Sequence, residues 1–227
     1  MPILLSIETS TRVCSVALQN DETILGSATL HIERSHAGLL AVLAERLLKS
    51  CGVLQTELNG VIVAEGPGSY TGLRIGTSFA KGLCYALNVP LITVGSLEAL
   101  AYGVAPFIAE PAFLIPMMDA RRMEVYLQVL NEKAEPFGNA KPFLLESEDL
   151  LEYLDDRKCY FFGNGSEKAK SVITHSNARF IDGIEADARY MCHPGFRKFI
   201  AGEFADLAYF EPEYLKEFQA TKPKKLI

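Results

Sequence analysis

Cys-x-x-Cys spacing is missing from this sequence, whose five cysteines (Cys14, Cys51, Cys84, Cys159, Cys192) are odd in number and scattered. Such a set argues against a disulfide frame or a thiolate zinc site and fits reduced thiols in a cytoplasmic protein. No apolar run approaches the roughly 20 residues that cross a bilayer. No basic stretch precedes the apolar start Ile3-Leu4-Leu5, and Glu8 follows soon after, so neither membrane anchor nor secretory leader is expected. A basic excess is missing too: 22 Lys and Arg face 28 Asp and Glu, a net charge of −6. Neutralised phosphates supply most of a nucleic-acid binder's affinity, so any work on RNA is expected to run through a partner. The tail lysines Lys216, Lys222, Lys224 and Lys225 form the one basic cluster, read as a solvated end. The four histidines (His31, His36, His175, His193) contain no i,i+4 pair and no His-Glu-x-x-His. His36 is expected as a surface or capping residue and His193, before Pro194, as a helix-entry residue.

What is present is globular: 49% hydrophobic and 22% charged residues over 227 positions. Three strands are predicted at Ile3–Thr9, Ser15–Gln19 and Thr23–Leu30. Ser35 then caps a helix to about Cys51. A strand at Val61–Ala64, a helix from about Thr71 to Leu87, a strand at Leu91–Val94 and a helix to about Val104 capped by Ser96 complete a βββαβαβα order. The second half repeats it. Strands are predicted at Ala112–Met118, Glu124–Leu130 and Pro142–Leu145, with a turn at Asn131–Ala134. A helix capped by Ser147, with Glu148 and Asp149 in its first turn, runs to Leu154. Tyr160–Phe162, a helix at Glu167–Thr174, Arg179–Ile181 and helical segments from about Asp187 follow. The prolines at Pro106–Pro111 mark the boundary. Residues 1–105 are expected to form a first lobe, completed by segments from about 188–227, and 106–187 a second. A coincidental count within one α/β domain is the alternative.

The segment Glu65-Gly66-Pro67-Gly68-Ser69-Tyr70-Thr71-Gly72-Leu73-Arg74-Ile75-Gly76 stands out. A glycine-rich turn between strand and helix presents backbone N–H groups suited to phosphate. No Gly-Lys-Ser/Thr follows, and the glycine spacing is not the dinucleotide fingerprint. The plainer reading is a tight turn in which Gly72 and Gly76 let the helix pack closely. Ser69 and Thr71 have no identifiable base nearby to make them nucleophiles.

Gly66 to Gly76, with Ala80-Lys81-Gly82-Leu83 downstream, resembles the hallmark of the TsaB (YeaZ-type) family. Ile3 to Thr11 is similar to that family's opening strand, Asp119-Ala120-Arg121-Arg122-Met123-Glu124-Val125-Tyr126 to its second-lobe hairpin, and Pro212-Glu213-Tyr214-Leu215-Lys216 to its ending. The resemblance implies the duplicated α/β fold of the actin/hexokinase/Hsp70 superfamily, ASKHA for short. It also implies a non-catalytic subunit that binds TsaD and, with TsaE, supports threonylcarbamoyl transfer to the adenosine beside a tRNA anticodon. TsaD holds a metal through a His-x-x-x-His pair; Ser96 and Leu100 stand in the comparable positions here, and leucine has no donor atom. Arg12 and Val13 fill the place of acidic residues in TsaD. Neither a catalytic residue nor a metal ligand is therefore expected, nor a cofactor of the chain's own, though the resemblance leaves room for a nucleotide at the joint with TsaD. Glu8, Thr9, Gly66, Gly68, Ser69, Tyr70, Thr71 and Arg74 are the candidates for a vestigial nucleotide contact. An ASKHA small-molecule kinase and a metallopeptidase-like enzyme remain the alternatives.

Helical projection gives a partner face. Thr71, Arg74, Thr77, Ser78, Lys81, Tyr85 and Asn88 share one arc, and apolar residues fill roughly 200° of the rest. The preceding helix has its stripe at Ala37, Leu40, Ala41, Ala44, Leu47 and Leu48, with Leu39, Val42 and Leu43 beyond it. Surplus apolar width on two adjacent helices suggests a shared surface, here Leu39, Val42, Leu43, Leu73, Gly76, Phe79, Ala80 and Leu83. The resemblance assigns that surface to TsaD, and to a second copy of the chain when it is isolated.

Overall fold

The computed structural model describes residues 1–32, 36–145 and 150–216. The caps expected at Ser35 and Ser147, with Glu148 and Asp149, and the lysines Lys222, Lys224 and Lys225 lie outside them.

Two sheets carry the same strand order. In the first, β1 (Ile3–Glu8) is central: β2 (Cys14–Asn20) and β3 (Thr23–Leu30) add antiparallel on one side, β4 (Leu58–Gly66) and β5 (Leu91–Gly95) parallel on the other. In the second, β6 (Phe113–Asp119) is central. Antiparallel β7 (Glu124–Leu127) and β9 (Lys141–Leu144) flank one side, and parallel β10 (Cys159–Phe162) and β11 (Ala178–Ile181) the other. The duplicated order read from the sequence is thus present, with a short β8 (Leu130–Asn131) added against β6. β8 is the end of the strand predicted at Glu124–Leu130. The chain leaves the β7 ladder after Leu127, and Asn131, whose Oδ1 accepts from the Lys133 and Glu135 N–H groups, turns it back.

Helices α1 (His36–Ser50), α2 (Tyr70–Leu87) and α3 (Ser96–Val104) connect the first sheet, and α6 (Arg189–Ala201) packs on β1, β4, β5 and α3. In the second half, α4 (Leu151–Asp156) and α5 (Ser166–Ala169) are short; α5 is one turn of the helix predicted to Thr174. β1 is buried on both faces, as its run of apolar residues requires, with Leu5 and Ile7 facing α1 and α2 and Leu4 facing α6.

Local expectations shift in three places. Ser96 is not a cap: β5 runs directly into α3, Gly95 holds the cap position, and Ser96 is wholly buried. His193 lies inside α6 beside Pro194, with its ring 5.4 Å from Tyr102. His36 is buried rather than on the surface, its Nε2 3.0 Å from the Val13 carbonyl oxygen, which ties the start of α1 to β2.

Candidate functional site

The distinctive loop is built on the carboxyl ends of β1 and β4. Gly66 ends β4 at φ +117°, a conformation that suits glycine, and a Cβ there would lie 2.6 Å from the Glu213 carbonyl oxygen. The Gly66–Pro67 peptide is cis. Ser69 then caps α2, its Oγ accepting from the Gly72 N–H at 3.3 Å, while its own N–H donates to the Ser10 carbonyl at 2.6 Å. Thr9 Oγ1 donates to the Gly72 carbonyl at 2.8 Å. Cβ atoms at Gly68 and Gly72 would sit 2.3 Å from Ser10 O and 2.1 Å from Thr9 O. The glycines let α2 press against the Thr9–Ser10 backbone, the plainer of the two sequence readings.

The C-terminal segment seals this junction. The Glu213 N–H donates to the Glu65 carbonyl at 2.6 Å, and the Tyr214 ring lies 4.7 Å from that of Tyr70. The Arg74 guanidinium sits 4.4 Å over Tyr70, and its Nε donates to the Tyr214 hydroxyl at 3.3 Å. Lys81 Nζ donates to the Ala208 and Phe210 carbonyls at 3.2 and 3.0 Å. Lys216 then pairs with Glu124 of the second half. Residues 208–216 therefore run along α2 and fasten one lobe to the other. In the sequence Pro212–Lys216 reads only as an ending; an aromatic and a lysine in an otherwise acidic stretch are the available signal.

Between the lobes lies a cleft of about 1500 Å³. One wall carries Ser10, Thr11, Arg12 and the start of α2; the other carries the turn from Asp119 to Glu124. Of the candidate contacts, Gly68, Ser69, Tyr70 and Thr71 reach this cleft. Four do not. Glu8 (0% exposed) and Thr9 (1%) face the interior, Gly66 lies under Glu213, and Arg74 is held outside the wall by Tyr70 and Tyr214. Burial pushes the Glu8 carboxyl up to about 7, against hydrogen bonding by Ser10 that favours the charged form; nearby Asp187 acts in the same direction as burial. The Ser10 N–H donates to Glu8 Oε1 at 2.6 Å.

The proposed partner face also divides. Leu73 (1% exposed) packs with Leu4, Ile62 and Tyr214, Ala80 (0%) turns from α2 into the core shared with α1 and the first sheet, and Gly76 meets the Thr9 side chain. These three face inward and are removed from the surface set. Leu39 and Val42 are exposed, and Leu43, Phe79 and Leu83 are half-buried at the rim of the core. With half-buried Ile75 and exposed Gly82 and Ala86, Phe79 and Leu83 form an outward stripe at helical spacing on α2. On α1, Ala37 and Ala41 are exposed, so the buried stripe is Leu40, Ala44, Leu47 and Leu48 with His36. Thr77, placed on the polar arc of α2, is buried.

A nucleotide is what an ASKHA cleft implies. The guanidinium groups of Arg121 and Arg122 on its wall fit phosphate, but the carboxylates do not fit a metal. Asp119 is paired with Lys168 and Glu124 with Lys216, and among the described residues no three His, Cys, Asp or Glu side chains converge.

The family model of TsaD, tRNA N6-adenosine threonylcarbamoyltransferase, matches residues 23–222. The tRNA threonylcarbamoyladenosine biosynthesis protein TsaB of Bacillus subtilis is 33% identical over 75% of this chain and 74% of its own length. A crystal structure of a Pseudomonas aeruginosa protein with similarity to peptidase YeaZ superposes with TM-score 0.85 at 25% identity, covering 95% of this chain and all of that one. A 2-hydroxyisocaproyl-CoA dehydratase activator from Clostridium difficile, solved with ADPNP, shares the fold at TM-score 0.52 and 11% identity over 90% of this chain and 98% of its own. The duplicated sheets, the sealed glycine loop and these likenesses together establish that the chain belongs to the TsaB (YeaZ-type) family and has the ASKHA fold.

Proposed function

We propose that this chain is a non-catalytic subunit of a tRNA threonylcarbamoyltransferase assembly, binding TsaD and acting with TsaE in the cytoplasm. The observation that carries the reading is the pair of outward apolar stripes on adjacent helices, Leu39 and Val42 on α1 and Phe79 and Leu83 on α2. Exposed and half-buried apolar groups side by side on two packed helices form a surface that a second helix pair covers well. The same surface pairs two copies of the chain when TsaD is absent. The chain needs no cofactor of its own, a nucleotide being accommodated at the joint with TsaD, and it meets tRNA only through the complex, in keeping with its net charge of −6.

The test is co-elution with TsaD on a sizing column with light scattering. Val42→Asp and Phe79→Asp each place a charge on the face, and both are expected to abolish the complex and the self-pairing. Val42 is 38% exposed, so that variant keeps the fold, which circular dichroism verifies. Co-elution of both variants at wild-type level moves the interface elsewhere.

A further inference from the structure

We propose that residues 203–216 form a strap whose far end is a releasable latch, and that the Lys216–Glu124 ion pair sets how far the inter-lobe cleft opens. The proposal stands apart from the partner assignment above.

The carrying observation is that the strap is fastened unequally along its length. Its base is built into the first lobe. The Ala205 N–H donates to the Leu91 carbonyl at 2.9 Å, at the edge of β5. Ala205, Leu207 and Phe210 pack against the core that α1 and α2 share with the sheet. Asp206 Oδ1 accepts from the Ala208 and Tyr209 N–H groups at 2.8 and 3.1 Å, which fixes the bend that Lys81 then holds from α2. The tip is held differently. Beyond Tyr214, Lys216 crosses to the second lobe and meets it through its charge: Nζ pairs with the Glu124 carboxylate and lies 5.8 Å over the Tyr126 ring. Glu124 and Tyr126 stand two apart on β7, so one face of that strand presents both to the lysine.

The connections between the lobes leave them a way to rotate. Two covalent links join them, residues 105–112 and 182–188. The second is itself tied to the first lobe: Arg12 pairs with Glu185 at 3.0 Å, and Thr29 Oγ1 donates to Asp187 Oδ2 at 3.1 Å. Just ahead of those ties Gly183 stands at φ +75° with open space where a Cβ would be, a point at which the backbone can turn freely. The Lys216 pair is therefore a third tie, non-covalent, between lobes already joined by pivots. The Lys216 and Glu124 side chains are only 33% and 23% exposed, so water and salt screen the pair less than they screen a surface pair. Leu215 and Lys216 line the cleft, and parting this tie lets its walls separate.

The experiment is hydrogen exchange by mass spectrometry on the full chain, comparing wild type with Lys216→Gln, Glu124→Gln, the double variant and Lys216→Arg. In each glutamine variant, exchange is expected to quicken about fivefold in peptides covering residues 10–12, 119–126 and 213–216, and to stay unchanged in β5 and α6. The double variant is expected to match either single one, since both changes remove the same tie, and Lys216→Arg to stay within about twofold of wild type. Small-angle scattering separates opening of the lobes from fraying of the strap alone, and a larger radius of gyration is expected for the three glutamine variants. The proposal is overturned by unchanged exchange at the cleft walls, by single effects that multiply in the double variant, or by Lys216→Arg behaving as Lys216→Gln. Quickening spread evenly over the whole chain, or a radius of gyration that does not move, overturns it as well.

Discussion

Gly72→Ala is expected to destabilise the fold by about 3 kcal/mol or more, whereas Gly82→Ala ten residues along the same helix is expected to stabilise it by roughly 0.5–1 kcal/mol. The added carbon at Gly72 would lie 2.1 Å from the Thr9 carbonyl oxygen, a backbone-to-backbone clash that no rotamer change relieves. To admit it, α2 must lift from the end of β1. That strains the Thr9 hydroxyl bond to the Gly72 carbonyl and the Ser69–Ser10 bond, and pulls on Tyr70, against which Tyr214 packs. Gly82 faces open space, with nothing within 4 Å of the added carbon, so only the helix preference of alanine over glycine remains. Gly76→Ala falls between them, because its clash at 2.2 Å is with the Thr9 hydroxyl, a side-chain atom able to turn aside. Urea midpoints of the three variants provide the check. Equal midpoints for Gly72→Ala and Gly82→Ala refute the close helix-to-strand packing.

The second large effect belongs to Glu8. Its folded-state value of about 7, raised from 4.5, means that the folded chain holds a proton that the unfolded chain has released between those values. Stability is therefore full below about pH 4.5 and is lost as pH rises through about 7, the loss reaching about 3 kcal/mol in alkaline solution. Glu8→Gln keeps the shape and the oxygen that accepts the Ser10 N–H but cannot ionise. It is expected to match the wild type near pH 5 and to exceed it by about 3 kcal/mol near pH 8.5, measured by urea unfolding. A difference that does not vary with pH would falsify the assignment of this loss to Glu8.

The duplicated plan was legible in the sequence because it is written in alternation. Apolar strands such as Leu4–Ile7 and Leu114–Met118 fall at the same place in each half, and every parallel strand of the sheets is separated from the next by a helical pattern or a crossover. The glycines of the loop were legible for the same local reason. What was hidden depends on distance or handedness. Helical projection sorts α2 into polar and apolar arcs, but it does not say which apolar flank meets the sheet; Leu73 and Ala80 went inward while Phe79 and Leu83 stayed at the rim. The contact of Arg74 with Tyr214 spans 140 positions, and no local pattern encodes it. Ser69 and Ser96 both precede helical segments, yet only Ser69 follows a turn, and only there is the side chain free to cap. The left-handed residues Arg121 and Arg122 carry neither glycine nor asparagine, so no local signature marks the turn between β6 and β7.

The ADPNP-bound neighbour shows that this architecture also serves nucleotide-handling proteins. Here Asp119 and Glu124 at the cleft are paired with Lys168 and Lys216, Glu8 is buried, and α2 is fastened to the rest of the chain by Tyr214 and the carbonyls around Ala208. The exposed apolar groups Leu39 and Val42 on α1 are what the proposed subunit role would use.

The most direct measurement is threonylcarbamoyladenosine formation on tRNA by purified TsaD and TsaE, with and without this chain. Product is expected only when the chain is added, none from the chain alone, and none when it is replaced by Val42→Asp. Full product from TsaD and TsaE without it, or product from the chain by itself, would contradict the proposal that it is a non-catalytic, required partner.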